Sequence, residues 1–119
     1  MKRPLIYVLD DDDSVRIALG SFLRSLGFHI ETFSTGMQLL ASEHLAQVSC
    51  VISDVQMPVM SGFEVLSVLR QNDPPVPVIL LTAFYEDSLK QKALDLGATA
   101  FLSKPFQSQE MLKVLGSVL

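Results

Sequence analysis

The chain has 119 residues, 49% of them apolar and 18% charged, with thirteen acidic against nine basic residues for a net charge of −4. That balance suits one domain with a real core, excludes a disordered chain, and argues against direct nucleic-acid contact by this domain. A single cysteine, Cys50, excludes an internal disulfide, and no stretch reaches the roughly 18 apolar residues of a membrane span, so a cytoplasmic protein with no membrane contact is expected.

Met1–Pro4 is too short for a signal peptide, because the apolar run Leu5–Leu9 follows at once and reads as a buried strand. That run ends in four aspartates, Asp10 to Asp13. Like charges that close repel, and burying any of them is costly without a cation or a donor. Val15, Leu19, Phe22, Leu23 and Leu26 have helical spacing, with Asp13 or Ser14 as the cap and Gly27 as the C-terminal glycine. His29–Phe33 alternates, as an edge strand does. Met37 and Leu40 resume helical spacing, with His44 as a further position. Cys50–Ile52 is the next apolar run and ends in Ser53-Asp54. Phe63, Leu66 and Leu69 mark a third helix, stopped by Asn72-Asp73-Pro74-Pro75. Val76–Leu81 is a fourth strand ending at Thr82, followed by the helical positions Leu89, Ala93 and Leu96 and the closing Gly97. Ala100–Leu102 is a fifth strand ending in Ser103-Lys104. A last helix, capped by Ser108, runs to Leu119, as in the N-terminal part of a longer protein. Near-continuous apolar runs alternating with helices predict an α/β fold: five parallel strands covered on both faces by five helices.

Ligands of such sheets bind at the carboxyl ends of the strands, near the point where strand order reverses. Those ends carry Asp10 and Asp11, Asp54, Thr82, and Lys104. Three carboxylates in one crevice raise each other's pKa unless a cation neutralises them. Hard oxygen ligands select Mg²⁺, Mn²⁺ or Ca²⁺, and no Cys/His set suits zinc. Mg²⁺ takes one or two carboxylates and completes its shell with water and phosphate oxygens, which a lysine and a threonine hydroxyl would complement. A carboxylate can itself be the nucleophile and form an aspartyl phosphate. Asp54, alone on its strand between apolar residues, is the candidate. Asp12 and Asp13 are expected to serve the start of the first helix.

At these residues the chain resembles the receiver domain of two-component response regulators. The resemblance is carried by Val8-Leu9-Asp10-Asp11-Asp12, Ser53-Asp54-Val55-Gln56-Met57-Pro58-Val59-Met60-Ser61-Gly62, Leu81-Thr82-Ala83 and Lys104-Pro105-Phe106. It covers essentially the whole chain and points to the FixJ-like branch. It implies a doubly wound, flavodoxin-like sheet of order 2-1-3-4-5. It implies that Asp54 accepts a phosphoryl group from a sensor histidine kinase. It further implies that Asp11 and Asp54 bind Mg²⁺ (or Mn²⁺) directly, with the backbone carbonyl of Gln56 as a further ligand and Asp10 acting through water. Lys104 would pair with the acidic site and then with the phosphoryl group. Thr82 would move toward that group, and Phe101 would turn inward as the switch aromatic. Residues 1–119 would form one receiver domain, with DNA reached through a separate output domain. Phosphorylation would promote a homodimer through the fourth helix and fifth strand, a face carrying Glu86, Asp87, Lys90 and Lys92 beside Leu89. Lys104-Pro105 is a candidate cis bond.

Gln56 and Phe84, two residues after Asp54 and Thr82, depart from the better-known pattern. Both sit where access of water to the phosphoryl group is tuned, and slow self-dephosphorylation is expected. Two other functions compete. A Mg²⁺-dependent phosphohydrolase would need a second carboxylate at the position of Gln56. A pseudo-receiver that only binds a partner would not need Asp11, Asp54, Thr82 and Lys104 intact. The chain is therefore read as a phosphoacceptor that promotes its own phosphoryl chemistry, not as a turnover enzyme. His29 and His44 are expected to have no part in the site, and Cys50 to be a core residue.

Overall fold

The computed structural model describes residues 3–71 and 75–119. Five strands, β1 (Leu5–Leu9), β2 (His29–Phe33), β3 (Cys50–Asp54), β4 (Val78–Thr82) and β5 (Ala100–Ser103), form one parallel sheet in the order β2-β1-β3-β4-β5. The helices are α1 (Asp13–Ser25), α2 (Gly36–Leu40), α3 (Gly62–Leu69), α4 (Asp87–Asp95) and α5 (Ser108–Val118). The five βα units and the strand order are those expected. Among the described residues, no helix is long and apolar enough to cross a membrane.

The apolar runs are nearly continuous because both faces of the sheet are covered. Ile6, Val8, Cys50, Ile52, Ile79, Leu81 and Leu102 point to one face and pack with Leu19 and Leu23 of α1 and Met111 and Leu115 of α5. Tyr7, Leu9, Val51, Val78, Leu80 and Phe101 point to the other, under Leu39 of α2, Leu66 and Leu69 of α3 and Ala93 of α4. Cys50 is fully buried, and burial pushes its thiol up to about 12, so it is an inert core residue. Gly27 and Gly97 follow α1 and α4 with φ of 94° and 96°, the left-handed geometry that ends a helix.

Several boundaries differ from expectation for identifiable reasons. The cap of α1 is Asp12, whose side chain accepts from the Val15 N–H; Asp13 is the first helical residue and Ser14 the second. The N-cap of α5 is Gln107, and Ser108 is already helical. Helix α2 stops at Leu40, well short of His44. Ser42 Oγ donates to the Leu39 carbonyl at 2.8 Å and lies 2.8 Å from the Tyr7 hydroxyl, so the chain turns there. His44 instead meets Glu31 at 2.8 Å, beside a 3₁₀ turn at Leu45–Gln47. Strand β4 begins at Val78 because Pro77 has no N–H for the ladder, although its carbonyl accepts from Val51 at 2.9 Å. Of the expected stop at 72–75, residues 72–74 lie outside the described residues. The Lys104–Pro105 bond is cis.

Candidate functional site

Strand order reverses between β1 and β3, so the connections leaving those two strands diverge and open a crevice at their carboxyl ends. The register places Leu9 opposite Ser53, and Asp54 opposite Leu81. Ladder bonds continue one residue past the strands: Asp10 N–H donates to Phe33 O at 3.2 Å, Val55 N–H to Leu81 O at 2.9 Å, and Lys104 N–H to Thr82 O at 2.8 Å. Asp10, Asp54, Thr82 and Lys104 are thereby fixed by the sheet and not left to loop conformation. The floor is set by Gly62 at the start of α3, where an added Cβ would lie 2.2 Å from the Asp54 carbonyl oxygen. Only glycine lets α3 approach β3 so closely; its N–H donates to Val55 O at 2.9 Å. Ser61 and Glu64 form a reciprocal capping box that starts α3 at this point.

Lys104 Nζ donates to Asp10 Oδ2 at 2.8 Å and to Asp54 Oδ1 at 3.0 Å. The other oxygen of Asp10 accepts from the Asp12 N–H at 2.9 Å. Arg16 donates to the Asp10 backbone carbonyl at 2.7 Å and pairs with Asp13. Asp10, Asp54 and Thr82 are buried, whereas Asp11 is exposed. One carboxylate oxygen from each of Asp10, Asp11 and Asp54 lies within 4.8 Å of the other two.

The electrostatics follow from this count. Burial is the main reason the Asp54 carboxyl is pushed up to about 6; the negative charge of Asp10 adds to it, and Lys104 pulls the other way. For Lys104, burial would lower the ammonium, but its bonds to Asp10 and Asp54 outweigh that and hold it above the usual lysine value. The two shifts are compatible, because Lys104 has two carboxylates to itself while Asp54 shares one ammonium. Three carboxylates against one ammonium leave two negative charges in a partly buried crevice. An all-oxygen donor set with that surplus fits a hard divalent cation.

The sheet thus gathers Asp10, Asp11, Asp54, Thr82 and Lys104 as expected, and the aspartate run divides between Asp11 and Asp12. Thr82 does not face Asp54 through a hydrogen bond. Its hydroxyl donates to Gln56 Oε1 at 2.8 Å and accepts from the Phe84 N–H at 3.0 Å. Phe101 is already turned inward, 5% exposed, its ring centroid 5.4 Å from that of Tyr85. Phe84 is 67% exposed. Glu86, the N-cap of α4, and Asp87 and Lys90 on it are exposed, Leu89 packs on the core, and Lys92 Nζ lies 4.6 Å over the Phe63 ring. His29 and His44 line a separate cavity with Arg3, Glu31 and Gln47. The Gln56 side chain and Arg16 were not singled out from the sequence for these contacts. Arg16 carries a signal, three residues after Asp13 on a helix; the Gln56–Thr82 pair, 26 residues apart, carries none.

The comparisons with known proteins agree with this arrangement. The response regulator protein TodT of Pseudomonas putida is 36% identical over 115 residues, covering 97% of this chain and 51% of that protein. The transcriptional regulatory protein FixJ of Bradyrhizobium diazoefficiens is 33% identical over 114 residues, covering 96% and 56%. The chain therefore spans about half the length of these relatives. The chemotaxis protein CheY4 of Vibrio cholerae superposes with a TM-score of 0.90 at 34% identity, covering 99% of this chain and all of that one. Residues 6–116 match the response regulator receiver domain, and the chain belongs to that family of two-component signalling domains.

Proposed function

We propose that Asp54 is the phosphoacceptor of a Mg²⁺-dependent switch, loaded by a sensor histidine kinase. The observation that supports this most is the setting of Asp54. It is a buried carboxylate at the switch point, bonded to Lys104 and grouped with Asp10 and Asp11. In the transfer, an Asp54 carboxylate oxygen forms a bond to phosphorus as the phosphorus–nitrogen bond of a phosphohistidine breaks. The electron pair leaves with that ring nitrogen, and because the other ring nitrogen carries a proton, neutral histidine is released. Asp11, Asp54 and the Gln56 backbone carbonyl would hold the ion directly, and Asp10 through water; both Asp10 oxygens already accept from protein groups. Bound there, Mg²⁺ supplies neutralising charge for the carboxylates and for phosphoryl oxygens. Lys104 gives the same oxygens a fixed ammonium, and burial of Asp54 excludes water from the nucleophile.

Loading biases a two-state equilibrium in which Thr82 turns its hydroxyl to the phosphoryl group. The α4–β5–α5 face carries the change, since Thr82 ends β4 beside β5 and Phe101 lies in β5. Residues 1–119 act as a receiver module whose output is an attached DNA-binding segment or a homodimer formed through α4 and β5. The transcriptional role named for the FixJ relative, and its greater length, support that reading. The amide of Gln56, bonded to Thr82, is no acid or base, which speaks against a phosphohydrolase.

Incubation with acetyl phosphate and Mg²⁺, followed by intact mass measurement, tests the proposal. A gain of one phosphoryl mass that disappears in Asp54→Asn is expected; steady hydrolysis of a phosphate ester, or no reaction, would overturn it. Light scattering of the loaded and unloaded protein tests the dimer, which fails if both have the same mass.

A further inference from the structure

Thr82 is fully buried, and both capacities of its hydroxyl are in use. A hydroxyl has a single proton. While that proton is given to Gln56 Oε1 at 2.8 Å, it cannot be given to an oxygen attached to Asp54. The accepting side is held as well, by the Phe84 N–H at 3.0 Å. Phe101 is already inside the core. The aromatic half of the switch is therefore in its inward place, and the hydroxyl half is held elsewhere by one residue.

We propose that Gln56 is a positioning residue: its side-chain carbonyl latches Thr82 in the resting orientation and so sets how readily a loaded Asp54 engages Thr82. The proposal rests on the reading of Asp54 as phosphoacceptor. Loading exchanges the Thr82–Gln56 bond for a bond from Thr82 to a phosphoryl oxygen. Removing the acceptor from residue 56 leaves the proton of the buried hydroxyl without an acceptor in the resting state alone, although the hydroxyl still accepts from the Phe84 N–H, while the loaded state keeps its donated bond. The exchange then favours the loaded state by about 3- to 10-fold, the worth of one neutral hydrogen bond. Residue 56 is exposed, so its side chain can be changed without opening a cavity in the core.

Gln56→Met keeps the length of the side chain and lacks the acceptor; Gln56→Ala is the second variant. The measurement is the affinity for beryllofluoride, a tetrahedral phosphoryl analogue, at fixed Mg²⁺, with backbone amide spectra of the unloaded protein. In both variants the affinity should tighten about 3- to 10-fold and the Phe84 amide resonance should move before any ligand is added. In a Thr82→Val background, Gln56→Met should leave the affinity unchanged, because there is no hydroxyl to release. Unchanged or weaker affinity in the single variants, or equal tightening without the Thr82 hydroxyl, would overturn the latch. Failure of the wild type to bind beryllofluoride or to gain a phosphoryl group would instead overturn the reading of Asp54, and the latch with it.

Discussion

The most direct perturbation of the site is Asp54→Asn in the presence of a chelator. Burial holds the Asp54 carboxyl at about 6 in the folded chain against an ordinary value of 3.8. A raised acid pKa means that the folded state binds the proton more tightly than the unfolded state does. The associated stability is complete below pH 3.8 and is lost as pH rises through about 6. At about 1.4 kcal/mol per tenfold, and discounted for solvent screening at the partly open crevice, the ionised carboxylate withholds ~1–3 kcal/mol at neutral pH. An asparagine has the same shape, keeps an oxygen for Lys104, and carries no charge. Metal-free Asp54→Asn should therefore be more stable than wild type by ~1–3 kcal/mol at pH 7.5, on the order of 5–10 °C in melting temperature. The advantage should shrink through pH 6 and vanish below pH 4. Adding Mg²⁺ should narrow or reverse the ranking, since on the proposed site wild type would gain ~2.7 kcal/mol with the ion at 100 times its Kd, and the variant would lack a proposed ligand. Urea melts at several pH values, with chelator and with Mg²⁺, measure all of this. A metal-free variant less stable than wild type at pH 7.5, or an advantage that does not change with pH, would refute the account of the site as a crevice with surplus negative charge.

Lys104→Met removes the ammonium bonded to Asp10 and Asp54 and should cost the metal-free protein ~3–5 kcal/mol in urea melts, with partial recovery in Mg²⁺. Gly62→Ala should cost at least ~3 kcal/mol and abolish phosphoryl acceptance, because the new Cβ must displace the Asp54 backbone; a variant with wild-type stability would show that α3 can retreat freely. Val59, 93% exposed with φ of 69°, is in a conformation that a β-branched residue resists. Val59→Asn should raise stability by ~1 kcal/mol, and a loss would contradict the strain. Gln56 beside Thr82 should keep self-dephosphorylation slow; a half-life of seconds, followed by mass spectrometry, would contradict that.

The strands and the five carboxyl-end residues were legible because each rests on a local pattern. An apolar run ends in a polar residue, and a parallel sheet brings such ends together whatever the helices do. Long-range bonds were not legible in the same way. Helix α2 has spacing that continues to His44, yet Tyr7 and Glu31, more than a dozen positions away, draw Ser42 and His44 out of the helix. Asp12 and Asp13 do serve the start of α1, but four identical aspartates offer the same chemistry, and only the turn leaving β1 selects Asp12, not Asp13 or Ser14, as the cap. Serine at position 108 is a good cap by type, but the loop after Pro105 delivers Gln107 to that place. Gln56 illustrates the limit best: its type and spacing suggest nothing about Thr82, and the contact exists because β3 and β4 end side by side.

The separation of the core by the sheet has a further consequence. Phe101 and Leu102 are chain neighbours, yet they belong to different clusters, one under α2, α3 and α4 and the other under α1 and α5. A substitution that recontours one side need not be compensated on the opposite side, because no helix packs through the strands. The two surfaces can drift at different rates while the rim that carries Asp54 stays fixed between them. One such domain could acquire a new output on its α4 side with no change in the side chains that seat α1 and α5.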